Sequence, residues 1–129
     1  MTGIVLDASA LLALLRSERG GERVGAVLNG ASMTSVNFSE VVQHYARHGV
    51  AEVDIRKTLA PLPLACVPFD EELAYDAGLL IKKTHSAGLS FGDRACLALA
   101  RRLGAKVLTA DRAWSRVAAA TGTQIEIIR

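Results

Sequence analysis

Four acidic residues stand where chemistry could be done. Asp7 follows the apolar run Ile4-Val5-Leu6, Asp111 follows "KVLTA", Glu40 lies in "SVNFSE" and Asp93 in "LSFGDRACLALA". Taken singly, each has a structural explanation. Asp7 and Asp111 suit a helix N-cap, where a carboxylate accepts a free backbone N–H. Ser90-x-x-Asp93 and Asn37-x-x-Glu40 have the spacing of capping boxes. Taken together, they suggest a site. Four ionised carboxylates held close repel: at ~4 Å and an effective dielectric of ~20, each pair costs about 4 kcal/mol. Such a group must raise some of its pKa values or bind a cation. Ligands that are all oxygen favour a hard ion, Mg2+ or Mn2+, over zinc.

Bringing these acids together needs a scaffold, and the pattern supplies one. Strands are predicted at Gly3–Asp7, Ser32–Ser35, Leu64–Phe69, Lys106–Thr109 and Gln124–Ile128. Helices are predicted at Ala8–Ser17, Glu22–Leu28, Phe38–His48, Ala51–Leu59, Glu71–His85, Gly92–Leu103 and Arg112–Ala119. Short apolar strands alternating with helices imply a parallel sheet buried on both faces. Gly20-Gly21, Gly30 and Gly104 suit helix ends, Pro61 and Pro63 stop a helix, and Pro68 lies near a strand end. With no repeat, low-complexity tract or linker, the 129 residues read as one α/β domain. In such a sheet the strands finish at one edge, the following helices start there, and ligands bind where the strand order reverses. Acids at two strand ends and in the first turns of two helices could therefore converge.

Composition narrows the class. Half the residues are hydrophobic, so a sizeable core can form. Fifteen basic and thirteen acidic residues leave a formal charge of +2, too mild to predict nucleic-acid binding by bulk charge. No apolar run approaches the ~20 residues of a membrane span. No signal peptide is evident. Cys66 and Cys96, far apart among apolar neighbours, read as reduced core thiols of a cytoplasmic protein.

The segments "VLDASALLALL", "NFSE", "LSFGDRACLALA" and "VLTADRAW", in this order, resemble a PIN-domain nuclease of the VapC type, the toxin of bacterial toxin–antitoxin pairs. The likeness runs over nearly the whole chain. It implies a single PIN-like domain across residues 1–129, an α/β fold with a parallel sheet of about five strands sandwiched by helices. Carried over position by position, it makes Asp7, Glu40, Asp93 and Asp111 the acidic Mg2+ site, with Mn2+ as a substitute. Asp7 and Asp93 are the expected direct ligands. Glu40 and Asp111 ligate directly, act through water or orient the nucleophile. Ser9 and Thr109 match small polar positions that hold the acids, and Asn37 the polar residue one turn before the glutamate.

The activity so implied is metal-assisted hydrolysis of RNA phosphodiesters, leaving a 5′ phosphate and a 3′ hydroxyl. The implied partners are a cognate VapB-like antitoxin and a second copy of the chain. Two other readings stand beside it: a PIN-like nuclease of RNA processing or of DNA, and a silent binding module whose acids are only caps. A phosphorylated receiver domain fits poorly, because Asp7 has no acidic neighbour and no lysine follows the last strand.

Other residues carry open alternatives. Arg94 could contact a phosphate or form a surface salt bridge. Glu40, His44 and His48 share one helical face. A solvated face or RNA-contacting imidazoles suit that spacing better than a zinc site. Arg56-Lys57, Lys82-Lys83 and Arg101-Arg102 read as solvated helix faces, some of which could steer RNA. Trp114, Tyr45 and Tyr75 read as core or interface residues.

Overall fold

In the computed structural model, which describes residues 3–129, β1 (Ile4–Leu6) occupies the centre of a five-stranded sheet. β2 (Ala31–Thr34) and β3 (Ala65–Val67) lie on one side of it, β4 (Lys106–Thr109) and β5 (Ile125–Ile127) on the other. The strand order is β3-β2-β1-β4-β5 and every pairing is parallel. Val5 faces Ser32 on one flank and Val107 on the other. The order therefore reverses between β1 and β4, and their carboxyl ends open onto one edge.

Helices α1 (Ala8–Leu15), α2 (Gly21–Val27), α3 (Ser35–Arg47) and α4 (Glu52–Leu59) belong to one layer. Helices α5 (Glu71–Leu79), α6 (Ile81–Thr84), α7 (Phe91–Leu103) and α8 (Ala118–Thr121) complete the helical set. Alternation along each strand sorts the core into two halves. Val5 and Val107 pack with Leu73, Leu80, Leu97 and Trp114. Leu6 and Leu108, one residue on, pack with Leu11, Val24, Met33 and Val41. A strand buried on both faces has no polar side to show, which is why these runs read as continuously apolar.

The predicted elements are all present, with ends that differ for local reasons. α3 begins at Ser35, three residues before the expected Phe38. Thr34 ends β2 and caps the helix at once: its Oγ1 accepts the Asn37 N–H at 3.0 Å. Asn37 is thus no N-cap, and the expected Asn37–Glu40 capping box does not form. Glu40 stands in the second helical turn, not the first. The single helix expected over 71–85 is divided at Leu80, and a 3-10 turn, His85–Ala87, ends in Gly88 with φ of +71°. The expected helix over 112–119 is a 3-10 turn, Arg112–Arg116, followed by α8. Asp111 Oδ1 accepts the Ala113 N–H at 2.9 Å, a tight Asx-type closure that favours the 3-10 turn.

Cys96 is buried as expected, but Cys66 is exposed on the edge strand β3; both thiols are free. Trp114 is fully buried, whereas Tyr75 is 63% exposed. Between α3 and α4 lies an apolar groove of about 650 Å³, walled by Phe38, Val42, Ala46, Ile55 and Leu59. Among the described residues no helix is long and apolar enough to cross a membrane.

Candidate active site

The strand-order reversal is occupied by Asp7. It follows β1 directly and caps α1, in keeping with its sequence position. Its Oδ1 accepts the Ser9 hydroxyl at 2.7 Å and the Ala10 N–H at 2.8 Å, and its Oδ2 accepts the Thr109 hydroxyl at 2.5 Å. Thr109 is the last residue of β4, so one hydroxyl ties the two central strands together at the edge. Ser9 and Thr109 are locked in turn: Ser9 Oγ accepts the Ala110 N–H at 2.9 Å, and Thr109 Oγ1 accepts the Asp111 N–H at 3.1 Å. Both hydroxyls direct their single proton to Asp7. Burial nevertheless dominates, and the Asp7 carboxyl is pushed up to about 6. The three hydrogen bonds oppose the rise, and the charge of Asp93 adds to it.

Glu40 is positioned by Asn37, which is 1% exposed. Asn37 Oδ1 accepts the Thr34 hydroxyl at 2.7 Å. Its amide nitrogen donates to Glu40 Oε1 at 2.8 Å and to the Gly92 carbonyl at 2.9 Å. One side chain thus fixes the glutamate and joins α3 to the first turn of α7. Gly92 makes room for this: a Cβ there would fall on the Glu40 carboxylate, 2.7 Å from its Cδ. Burial raises the Glu40 pKa, the Asn37 hydrogen bond opposes, and Asp93 adds to the rise.

Asp93 sits in the first turn of α7 in a complete capping box. Its Oδ2 accepts the Ser90 N–H at 2.9 Å, and its own N–H donates to Ser90 Oγ at 3.3 Å. Its pKa is raised first by burial; Ser90 opposes, Asp111 adds and Arg94 opposes. Asp93 is therefore the hub, near enough to Asp7, Glu40 and Asp111 for their charges to be felt. Cys96, one turn further along α7, senses the same field. Its thiol is pushed well up by burial and then by Asp7, Asp93 and Glu40.

The structure thus brings Asp7, Glu40, Asp93 and Asp111 to one edge, with Ser9, Asn37 and Thr109 holding two of them. Asp111 is exposed, with Oδ1 on its own Ala113 N–H. Arg94 is partly buried and donates to the Leu89 carbonyl at 2.9 Å, while its Nε is buried without a partner among the described residues. His44 and His48 lie further along α3, their ring centroids 4.4 Å apart. Two contributors are not evident from the sequence pattern: Thr34 and Gly92. The glycine directly before the acid in "FGD" is the available signal for the last. Among the described residues, no three His, Cys, Asp or Glu side chains are close enough to enclose a metal by themselves.

An all-parallel α/β sheet that gathers carboxylates at its strand-order reversal defines a class of acidic-pocket domains. The family follows from the sequence pattern: the PIN domain model matches residues 4–120, and the chain belongs to the PIN domain family. A search among curated proteins finds no match. Solved structures share the fold. DNA-bound VapBC from Salmonella typhimurium is 17% identical with a TM-score of 0.74, covering 98% of each chain. VapBC2 from Rickettsia felis, bound to a promoter DNA fragment, is 14% identical with a TM-score of 0.71, covering 95% of this chain and 96% of that one. VapC20 of Mycobacterium tuberculosis, a sarcin-ricin loop cleaving toxin, is 16% identical with a TM-score of 0.69, covering 87% of this chain and 92% of its own.

Proposed function

We propose that this PIN domain is a Mg2+-dependent endoribonuclease of the VapC toxin type, held in check by a cognate VapB-like antitoxin. One observation carries the reading: at the strand-order reversal Asp7 is pinned by the Ser9 and Thr109 hydroxyls, Glu40 by the Asn37 amide and Asp93 by the Ser90 N–H, and burial raises the pKa of all three carboxyls. Such a group is electrostatically frustrated until a cation arrives. The donor set fits a hard ion, since every ligand atom is a carboxylate oxygen. Mn2+ satisfies the same chemistry.

Asp7 and Asp93 are the residues we assign as direct ligands, with Glu40 and Asp111 acting directly or through water. A bound Mg2+ would supply charge neutralisation at the phosphodiester and an acidified water. The protein contributes fixed geometry. Ser9 and Thr109 prevent Asp7 from rotating, and the Ser90 box fixes Asp93. Asn37 occupies Glu40 Oε1, which directs Oε2 to the remaining task of orienting or deprotonating water. Arg94 steadies the Leu89 carbonyl just ahead of Ser90 and tempers the charge of Asp93.

The antitoxin reading is supported by the neighbours solved as toxin–antitoxin complexes. The α3–α4 groove is the apolar surface such a segment would cover. A homodimer is supported by Tyr75, Leu79 and Phe91, which are 63%, 66% and 50% exposed on α5 and α7. The test is cleavage of total RNA by the purified chain with Mg2+, read by sequencing RNA 5′ ends. Cuts that vanish in Asp7→Asn and Asp93→Asn and on chelation are expected. Undiminished cutting by either variant would overturn the assignment.

A further inference from the structure

α3 leads away from the acidic edge, and its Glu40 face continues into His44 and His48. At ~1.5 Å per residue these lie about 6 and 12 Å along the helix axis from Glu40. The imidazoles are stacked at 4.4 Å and tilted by 39°. His48 Nδ1 is 2.7 Å from the His44 carbonyl oxygen, which orients the ring and leaves Nε2 for an outside partner. Arg47 is exposed beside them, and Arg16, at the end of α1, comes close enough for its charge to bear on His44.

Among the described residues, the acid felt at His44 is Glu18. That carboxylate is already shared, at 3.5 Å from Arg16 and 3.7 Å from Arg129. Arg16, Arg47 and the two imidazoles therefore share a surface whose carboxylate, Glu18, is already engaged by Arg16 and Arg129, the reverse of the acidic edge a turn away. Burial first, and then the charges of His48, Arg16 and Arg47, hold the His44 pKa below its ordinary value, with Glu18 opposing. An anion lying across them would remove the conflict.

We propose that Arg16, His44, Arg47 and His48 form a ledge that binds the phosphodiester backbone of the substrate strand beyond the point of cleavage. The inference rests on the nuclease reading and deepens it. A strand with one phosphodiester at the acids must carry its next phosphates past neighbouring surface. The ledge begins one helical turn from Glu40. Interactions of this kind position the strand and carry no base specificity.

The test uses the full chain in EDTA, so that nothing is cut, with a fluorescein-labelled single-stranded RNA decamer read by anisotropy at several salt concentrations. Arg16→Ala and the double variant His44→Ala/His48→Ala are each expected to weaken binding by about threefold or more. At pH 7 the slope of log affinity against log salt should fall by ~0.7 in Arg16→Ala, which loses a full charge, and little in His44→Ala/His48→Ala, where His44 is held toward its neutral form. Arg16→Lys keeps the charge and should keep most of the affinity. Lys106→Ala, at the start of β4 and so at the sheet edge opposite the acids, should change nothing. Thermal melting checks that each variant is folded. Unchanged affinity and salt slope in folded Arg16→Ala and His44→Ala/His48→Ala would overturn the ledge. Cleavage of RNA in Mg2+ by the wild type is scored separately. Cutting without ledge sensitivity removes the ledge and keeps the nuclease; ledge-sensitive binding without cutting does the reverse.

Discussion

Replacing Asp7 by Asn should stabilise the metal-free protein at neutral pH. The folded carboxyl titrates at about 6 against an ordinary 3.8. Between these values the unfolded chain has released its proton while the folded chain keeps it. The folded state then binds more protons, so stability falls as pH rises through this window. At about 1.4 kcal/mol per pH unit, the full penalty is about 3 kcal/mol above pH 7. Asparagine has the same shape without the charge. It still accepts through one atom, but its amide forces the Thr109 or Ser9 hydroxyl to turn and accept, at a cost of about 1 kcal/mol. The net gain is about 2 kcal/mol, several degrees in melting temperature for a chain of this size.

Urea denaturation of both proteins in EDTA from pH 4 to pH 8 measures it. The other carboxyls appear in both curves, so the difference between them isolates residue 7. The difference should be near zero or slightly unfavourable to Asp7→Asn at pH 4 and grow in its favour up to about pH 7. Added Mg2+ should raise wild-type stability and narrow the gap, because a ligand that binds only the folded state adds to its stability. A pH-independent difference, or an Asp7→Asn variant less stable at pH 8, would refute the idea that an uncompensated buried charge sits at the strand-order reversal.

Gly92→Ala should cut RNA cleavage at least about a hundredfold, since a 1 Å displacement of a positioned group is worth about that much. The new methyl falls on the Glu40 carboxylate, and circular dichroism should still show a folded α/β protein. Asn37→Leu should destabilise by about 2–3 kcal/mol in urea, because the buried Thr34 hydroxyl and Gly92 carbonyl both lose their partner. Adding Glu40→Gln to Asn37→Leu should cost little further activity, as Glu40 is already unmoored; a strictly additive loss would place Asn37 outside the positioning of Glu40.

Much of this protein is legible in its residues. The strands around Val5 and Val107 announce themselves as apolar runs because both sheet faces are covered. The caps at Asp7, Ser90 and Asp111 are local interactions within three residues, so spacing alone identifies them. The start of α3 is hidden because Thr34 serves both strand and cap, and no separator residue marks the change. The break at Leu80 and the 3-10 turn after Asp111 lie in stretches whose helical periodicity continues unbroken, so the pattern holds no sign of them.

Sequence by itself determined which residue types could serve the site and that two of them, Asp7 and Asp111, follow strands. Only the tertiary structure decided their company. The Thr109 hydroxyl meets Asp7 across 102 positions, and the Asn37 amide meets Gly92 across 55. These meetings exist because parallel pairing aligns the ends of β1 and β4 and packing sets α7 beside α3. Burial, which drives the Asp7 carboxyl to about 6, is likewise a property of the assembled layers and of no segment within them.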